Sequence, residues 1–341
     1  MPGIEEANGH RANGVLPILQ PPPLSGPRPN ADELSFDLRA ALAAVRPLRS
    51  AVPRDAHTAY SLGTEREGNA VLIDSDGLLL TIGYLIVEAT DVIVSDDKGH
   101  PVPAQVVGYD HETGFGLIRA VNSLGIAPIT MASTAAPLRD NDPAIIAAQG
   151  GLEQAISAKV ASRREFAGSW EYLLDEAIFT TPLHTNWSGS ALIANDDGRL
   201  LGLGSLFVQD AVEGGSPVPG NMFVPIDLLT PILDDLITLG RRASPPRPWL
   251  GMHTTEALGH LLVAGVHDRG PADKAGIEPG DLVRTVDGDE VFGLAEMYRR
   301  MWSIGHAGVD IRFGIQRDAE ALEIVIETGD RREYLRLPQT H

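Results

Sequence analysis

Gly270-Pro271-Ala272-Asp273-Lys274-Ala275-Gly276-Ile277-Glu278-Pro279-Gly280-Asp281-Leu282-Val283 runs directly into Arg284-Thr285-Val286-Asp287-Gly288, an apolar strand closed by an Asp-Gly turn. Upstream lie Trp249-Leu250-Gly251-Met252 and Val263-Ala264-Gly265-Val266. Downstream, Leu294, Met297, Tyr298 and Met301 recur at helical spacing over residues 294–304. The whole stretch is set off by residues 241–248, RRASPPRP, whose three prolines and three arginines read as a linker. Before the linker, residues 225–239 are predicted to form an amphipathic helix (Leu228, Leu229, Ile232, Leu233, Leu236) ending at Gly240.

Further toward the N-terminus the pattern is β. Val71-Leu72-Ile73 leads through Asp74-Ser75-Asp76-Gly77 into Leu78-Leu79-Leu80-Thr81, and Ala191-Leu192-Ile193 leads through Asn195-Asp196-Asp197-Gly198 into Leu200-Leu201-Gly202. Each is a hairpin signal, because glycine accepts the positive φ that the turn requires. Their similarity suggests a duplicated all-β unit. Further short runs at 91–95, 104–109, 116–121 and 144–148 point to barrels or sandwiches rather than a parallel sheet. A helix is predicted over 32–46 from Leu34, Leu38, Leu42 and Val45. Residues 1–30, rich in Pro, Gly and Asn, read as a disordered tail.

The chain of 341 residues exceeds one average domain, and 43% hydrophobic residues supply more than one core. The expected organisation is a tail (1–30), a first domain (31–240), the linker (241–248) and a second domain (249–341). Lys and Arg number 27 against 46 Asp and Glu, a formal charge of −19, which repels phosphate backbones and argues against nucleic acid. There is no cysteine, so disulfides, thiolate catalysis and thiolate metal sites are excluded. The acidic, proline-broken start lacks the pattern of a signal peptide, and no apolar run reaches the length of a bilayer span. A cytoplasmic location is the expectation.

The GPADKAG–IEPGD–LV–VDG string resembles a PDZ domain of the bacterial protease-associated type over residues 247–328. With it in place, residues 37–240 resemble the trypsin-like domain of the HtrA (DegP) serine proteases. The resemblance implies a mainly β fold, with a two-barrel trypsin-like (chymotrypsin-fold) domain followed by an α+β PDZ domain. It also implies a cleft between the barrels, a homo-oligomer, usually a trimer, and no cofactor.

The family's catalytic histidine, aspartate and serine map onto Tyr84, Gly114 and Ser188 of this sequence, and an oxyanion-hole position onto Asn186. Tyrosine, with a reference pKa of about 10, is a poor general base near neutrality, and glycine can orient nothing. A pseudoprotease is expected, working by binding a protein or a peptide C-terminus. His184 or His111 could substitute as base, giving an active hydrolase instead, although each also reads as a surface-loop histidine. For the PDZ groove, Trp249, Leu250, Gly251 and Met252 match the carboxylate-binding loop, with Leu294, Met297, Tyr298 and Met301 forming the other wall or merely packing the core. His253, His260 and His267 recur every seven residues, and His100 and His111 bracket a turn. With no HExxH, these histidines read as solvated loop residues and no metal site is expected, metal handling through the surface histidines being the remaining alternative function.

Overall fold

The computed structural model describes residues 24, 26–132, 138–214 and 216–336. The chain divides into two compact units. One contains the residues up to Arg164 together with Glu176–Ala243; the other contains Glu165–Asp175 and Ser244 onward.

The first unit is two closed six-stranded barrels. Strands β1 (Val45–Ala51), β2 (Glu65–Leu72), β3 (Leu78–Ile82), β4 (Asp91–Ser95), β5 (Pro101–Tyr109) and β6 (Phe115–Ala120) close in the order β1-β2-β3-β6-β5-β4. Strands β7 (Pro143–Ala147), β8 (Ala155–Gly168), β9 (Tyr172–Thr181), β10 (Ala191–Ala194), β11 (Leu200–Val208) and β12 (Gly220–Pro225) close in the order β10-β11-β12-β9-β8-β7. Counted from its own first strand, each barrel follows the same path, so the unit is duplicated. The two similar hairpins of the sequence are not the equivalent pair, however. The first joins the second and third strands of its barrel, and the other joins the fourth and fifth strands. Their likeness comes from the shared turn chemistry, while the barrel path is set by which strands close it.

The cores follow from apolar runs. Every residue of β3 is buried, as are Phe115, Leu117 and Ile118 of β6 opposite it. In the second barrel, Ile146, Ile156, Val160, Ile178, Leu192 and Phe223 pack together. Burying one such side chain is worth about 1.5–3 kcal/mol, and this sums to the main stabilisation of each barrel.

Two expectations are corrected here. The helix predicted over 32–46 is only a 3₁₀ turn (Ala31–Glu33) and a helix α1 (Leu38–Ala43), capped by the Asp37 carboxylate on the Ala40 N–H at 3.1 Å. Val45 already opens β1 opposite Val71, and Pro47 in that strand has no N–H with which to continue a helix. The other concerns the described end of the segment read as a tail, 1–30, which is anchored. The Pro27 carbonyl accepts the Ser157 N–H at 2.7 Å and Arg28 donates to the Ala155 carbonyl at 3.0 Å, so these residues lie along β8. Residues 1–23 and 25 lie outside the described residues.

Of the helix predicted over 225–239, only the second half, α3 (Leu233–Leu239), is α-helix. After α2 (Ala59–Leu62) and α3, the second unit holds α4 (Pro271–Lys274), α5 (Leu294–Ile304) and one antiparallel sheet. Its strands are β13 (Met252–Ala257), β14 (His260–Val266), β15 (Leu282–Val286), β16 (Asp289–Glu290), β17 (Asp310–Arg317) and β18 (Glu320–Glu327). The sheet order is β13-β14-β15-β17-β18 with β16 beside β15, so β13 is an edge strand. Glu165–Asp175, assigned to the first domain from sequence, groups with this unit because its residues hydrogen-bond there.

Candidate functional site

In the first unit the mapped positions meet where the two barrels face each other. Tyr84 sits in the 3₁₀ turn Gly83–Leu85 that follows β3, and Ser188 sits in the loop before β10. The Tyr84 hydroxyl donates to the Ser205 carbonyl of β11 at 2.7 Å. The Ser188 hydroxyl hydrogen-bonds the same phenol oxygen. Since the phenol's only proton is directed at Ser205, Ser188 is the donor in this pair. Burial pushes the Tyr84 phenol above its ordinary range, so it stays protonated at every physiological pH. A neutral phenol already donating its proton cannot take another from the serine.

The aspartate position carries no carboxylate. Gly114 is in the left-handed region (φ 82°), and its carbonyl accepts the Gly83 N–H at 2.7 Å. The nearby carboxylate, Asp110, is buried and engaged by the Thr113 N–H (2.9 Å), the Thr113 hydroxyl (2.8 Å) and Arg242 (2.9 Å).

The backbone N–H of Asn186, the residue that the resemblance maps onto the oxyanion hole, donates to His184 Nδ1 at 3.1 Å. His184 Nε2 lies 3.2 Å from the Gln154 carbonyl, so this nitrogen carries the proton and Nδ1 is the acceptor. The ring is 0% exposed, and its backbone is clasped by the Asn221 side chain at 2.7 and 3.1 Å. Both readings of His184 therefore fail: it is not a surface-loop residue, and neither nitrogen is available to Ser188. His111 is half-buried against the Tyr109 ring, 5.0 Å between centroids, rather than solvated.

Burial lowers the His184 pKa to about 4. The folded state therefore binds no proton between about 6.5 and 4, whereas the unfolded chain does, so stability falls as the pH drops through that window. The loss should reach about 3 kcal/mol at pH 4, from about 1.4 kcal/mol per pH unit. Urea unfolding at pH 7 and pH 4 tests this: the wild type should show the drop, and His184→Phe, less stable at pH 7, should show it much reduced.

Asn69, which had no motif to flag it, ties the site together. Its side-chain amide donates to Asn186 Oδ1 (3.1 Å) and the Ser188 carbonyl (2.8 Å), its Oδ1 accepts the Gln149 N–H (2.8 Å), and its own N–H also reaches Ser188 (2.8 Å). Gly189 (φ 72°) is required beside it, since a Cβ there would lie 2.0 Å from the Asn69 carbonyl.

In the second unit, Leu250, Met252, Leu294, Met297, Tyr298 and Met301 all belong to the core, and Trp249 is buried. Of the two readings of the helix side chains, core packing is what the apolar stripe of α5 does, while the Tyr298 hydroxyl reaches the Gly168 carbonyl at 2.8 Å. What Trp249-Leu250-Gly251-Met252 contributes is backbone. The N–H groups of Leu250, Gly251 and Met252 converge on one point, where they meet the Glu171 carboxylate. His253 and His267 do come together (5.3 Å between ring centroids), but His260 is at the opposite end of the β13–β14 hairpin, beside Arg284. Among the described residues no group of three or more His, Asp or Glu could hold a metal.

A family model described as a trypsin-like peptidase domain matches residues 68–203, and one described as a PDZ domain matches residues 248–328. Serine endoprotease DegS of Escherichia coli K12 is 26% identical over 327 residues, 89% of each chain. The probable periplasmic serine endoprotease DegP-like of Halomonas elongata is 23% identical over 275 residues, 77% of this chain but 56% of that protein, so the chain spans about half its length. Among solved structures, the serine endoprotease from Yersinia pestis aligns with a TM-score of 0.51 at 20% identity, covering 86% of this chain and 96% of that one, a likeness of fold. The fold is thus the expected HtrA-like one, a trypsin-like domain followed by a PDZ domain. The cytoplasmic expectation is overturned, because relatives in Halomonas elongata and Escherichia coli are named periplasmic endoproteases. The cysteine-free composition never discriminated between the compartments. Among the described residues no helix is long and apolar enough to cross a membrane.

Proposed function

We propose that this HtrA-like chain is a catalytically inactive homologue that acts by binding, its PDZ groove taking a protein or peptide C-terminus in a regulatory or scaffolding role. The observation that carries this is the hydrogen-bond chain Ser188–Tyr84–Ser205. The hydroxyl that would attack donates to a phenol whose proton is already committed to a backbone carbonyl. Nucleophilic catalysis needs a base that accepts the serine proton and an oriented partner behind it, and neither is present at Tyr84 and Gly114. The engaged Asn186 N–H removes an oxyanion donor as well. For the PDZ domain, the support is the edge strand β13 beside three convergent N–H groups, the arrangement that strand addition of a peptide C-terminus requires. A periplasmic location follows the relatives' names, and a trimer follows the family resemblance; sedimentation of the purified chain tests the latter.

Incubation with a fluorophosphonate probe is decisive for the inactive site. Labelling of the full chain should be no greater than that of Ser188→Ala. Stoichiometric labelling that disappears in Ser188→Ala would overturn the reading and establish an active hydrolase.

A further inference from the structure

The carboxylate-binding loop already holds a carboxylate. Glu171 accepts the Leu250 N–H at 2.9 Å and the Met252 N–H at 3.0 Å, with the Gly251 N–H also turned to it. Two residues earlier, the Ser169 carbonyl accepts the Thr254 N–H from β13 at 3.0 Å. Because β13 is the edge of its sheet, this bond uses the side of the strand that β14 leaves unpaired. On the other side, the Tyr298 hydroxyl of α5 donates to the Gly168 carbonyl at 2.8 Å and accepts the Glu171 N–H at 3.3 Å. Residues 168–171 therefore lie between β13 and α5, carboxylate in the loop and backbone along the strand, as a docked peptide C-terminus would.

We propose that Glu171 is a tethered pseudo-ligand, so that an incoming peptide with a free C-terminal carboxylate must displace residues 168–171 before it can dock. This rests on the peptide-binding reading of the PDZ groove given above.

Two features are hard to explain if the segment is only a turn. Glu171 is held at φ 59°, a left-handed conformation that disfavours a long side chain and that Gly or Asn adopts more easily. Its carboxyl is also removed from water, and burial raises its pKa to about 7 against the pull of the three N–H groups and Arg331. A turn residue chosen for conformation alone would have neither cost. Both are offset by filling the carboxylate loop. The neighbouring contacts fix the segment: Trp170 and Tyr172 stack at 5.7 Å, Arg331 donates to the Trp170 carbonyl at 3.3 Å, and Arg299 of α5 pairs with Glu165 and Asp175. A peptide α-carboxylate starts from a lower reference pKa, about 3.5, so the same burial leaves more of it ionised in the loop at neutral pH than of Glu171.

The test uses the full chain, its Glu171→Gly and Glu171→Gln variants, and two readouts. Glycine suits the left-handed position, so Glu171→Gly should fold at least as well as the wild type; Glu171→Gln keeps the side-chain shape and one oxygen acceptor. Hydrogen exchange without peptide should show the Leu250, Met252 and Thr254 amides protected in the wild type. They should exchange about ten-fold faster or more in Glu171→Gly, with Glu171→Gln between them. A fluorescein-labelled decapeptide ending in three valines with a free carboxylate should bind Glu171→Gly about ten-fold more tightly than the wild type, and its C-terminal amide should not. Equal exchange at these amides in the wild type and both variants overturns the proposal. If exchange accelerates as expected but no chain binds the free-carboxylate peptide, occupancy by Glu171 stands and the peptide-binding reading falls.

Discussion

Restoring the two missing side chains, as Tyr84→His with Gly114→Asp, is expected to leave proteolysis undetectable in a labelled-casein assay. Loss of the base alone costs about a million-fold in a serine protease, so the double variant restores the groups in name. Geometry then opposes it. Gly114 is at φ 82° with its carbonyl fixed to Gly83 N–H, and an aspartate there must either adopt a strained left-handed backbone or break that bond. The Asn186 N–H is turned to His184 Nδ1, and one lost oxyanion donor is worth about 100- to 1000-fold in rate. Adding Asn186→Gly and His184→Ala should raise fluorophosphonate labelling above that of the double variant. Ready turnover by the double variant alone would show that the oxyanion hole forms on substrate binding and that Tyr84 and Gly114 are the whole of the defect.

Arg66→Met should destabilise the first unit by about 3–5 kcal/mol, the usual result of stranding one member of a buried charge pair. Arg66 is 1% exposed and donates to the carbonyls of Tyr84 (2.8 Å), Val87 (2.9 Å) and Gly63 (3.2 Å) and to the Thr58 hydroxyl (2.8 Å). Glu88, also buried, faces it and accepts the His57 and Thr58 N–H groups at 3.1 and 2.6 Å. Desolvation lowers the guanidinium pKa only to about 10, so it is charged at neutral pH, and removing it leaves Glu88 and three carbonyls without their cation. Urea denaturation should show the large loss in Arg66→Met, with part of it recovered in Arg66→Met/Glu88→Leu. A change below about 1 kcal/mol would sink the claim that this pair holds the Tyr84 turn, since that is the range of an exposed pair. Because Arg66 grips the Tyr84 carbonyl, the same variant should loosen the Tyr84 phenol from the Ser205 carbonyl.

Much of the fold was legible because strands carry local signals. The apolar runs at 91–95 and 144–148 became β4 and most of β7, and the Asp-Gly turns became hairpins. The misreadings share one cause. Leu38, Leu42 and Val45 have helical spacing, but Val45 pairs with Val71 across a barrel, and sequence spacing alone does not reveal that partner. β8 and β9, at 14 and 10 residues, carry no clear local strand signal because they mix charged and apolar residues.

That Tyr84 and Gly114 stand where the resemblance maps a histidine and an aspartate was readable residue by residue, because a side chain that is absent is absent in any fold. So was the PDZ domain, whose turn glycines and prolines lie close together in the sequence. What took their place could only come from tertiary structure. Whether His184 could rescue the serine depended on Gln154 and Asn186, and whether Tyr84 could act as a base depended on Ser205, 121 residues away. Glu171 looked like one more acidic residue in a chain of net charge −19. Its meaning lies in the N–H groups of Leu250, Gly251 and Met252, some 80 residues further on, because a carboxylate acquires a role from the donors that surround it.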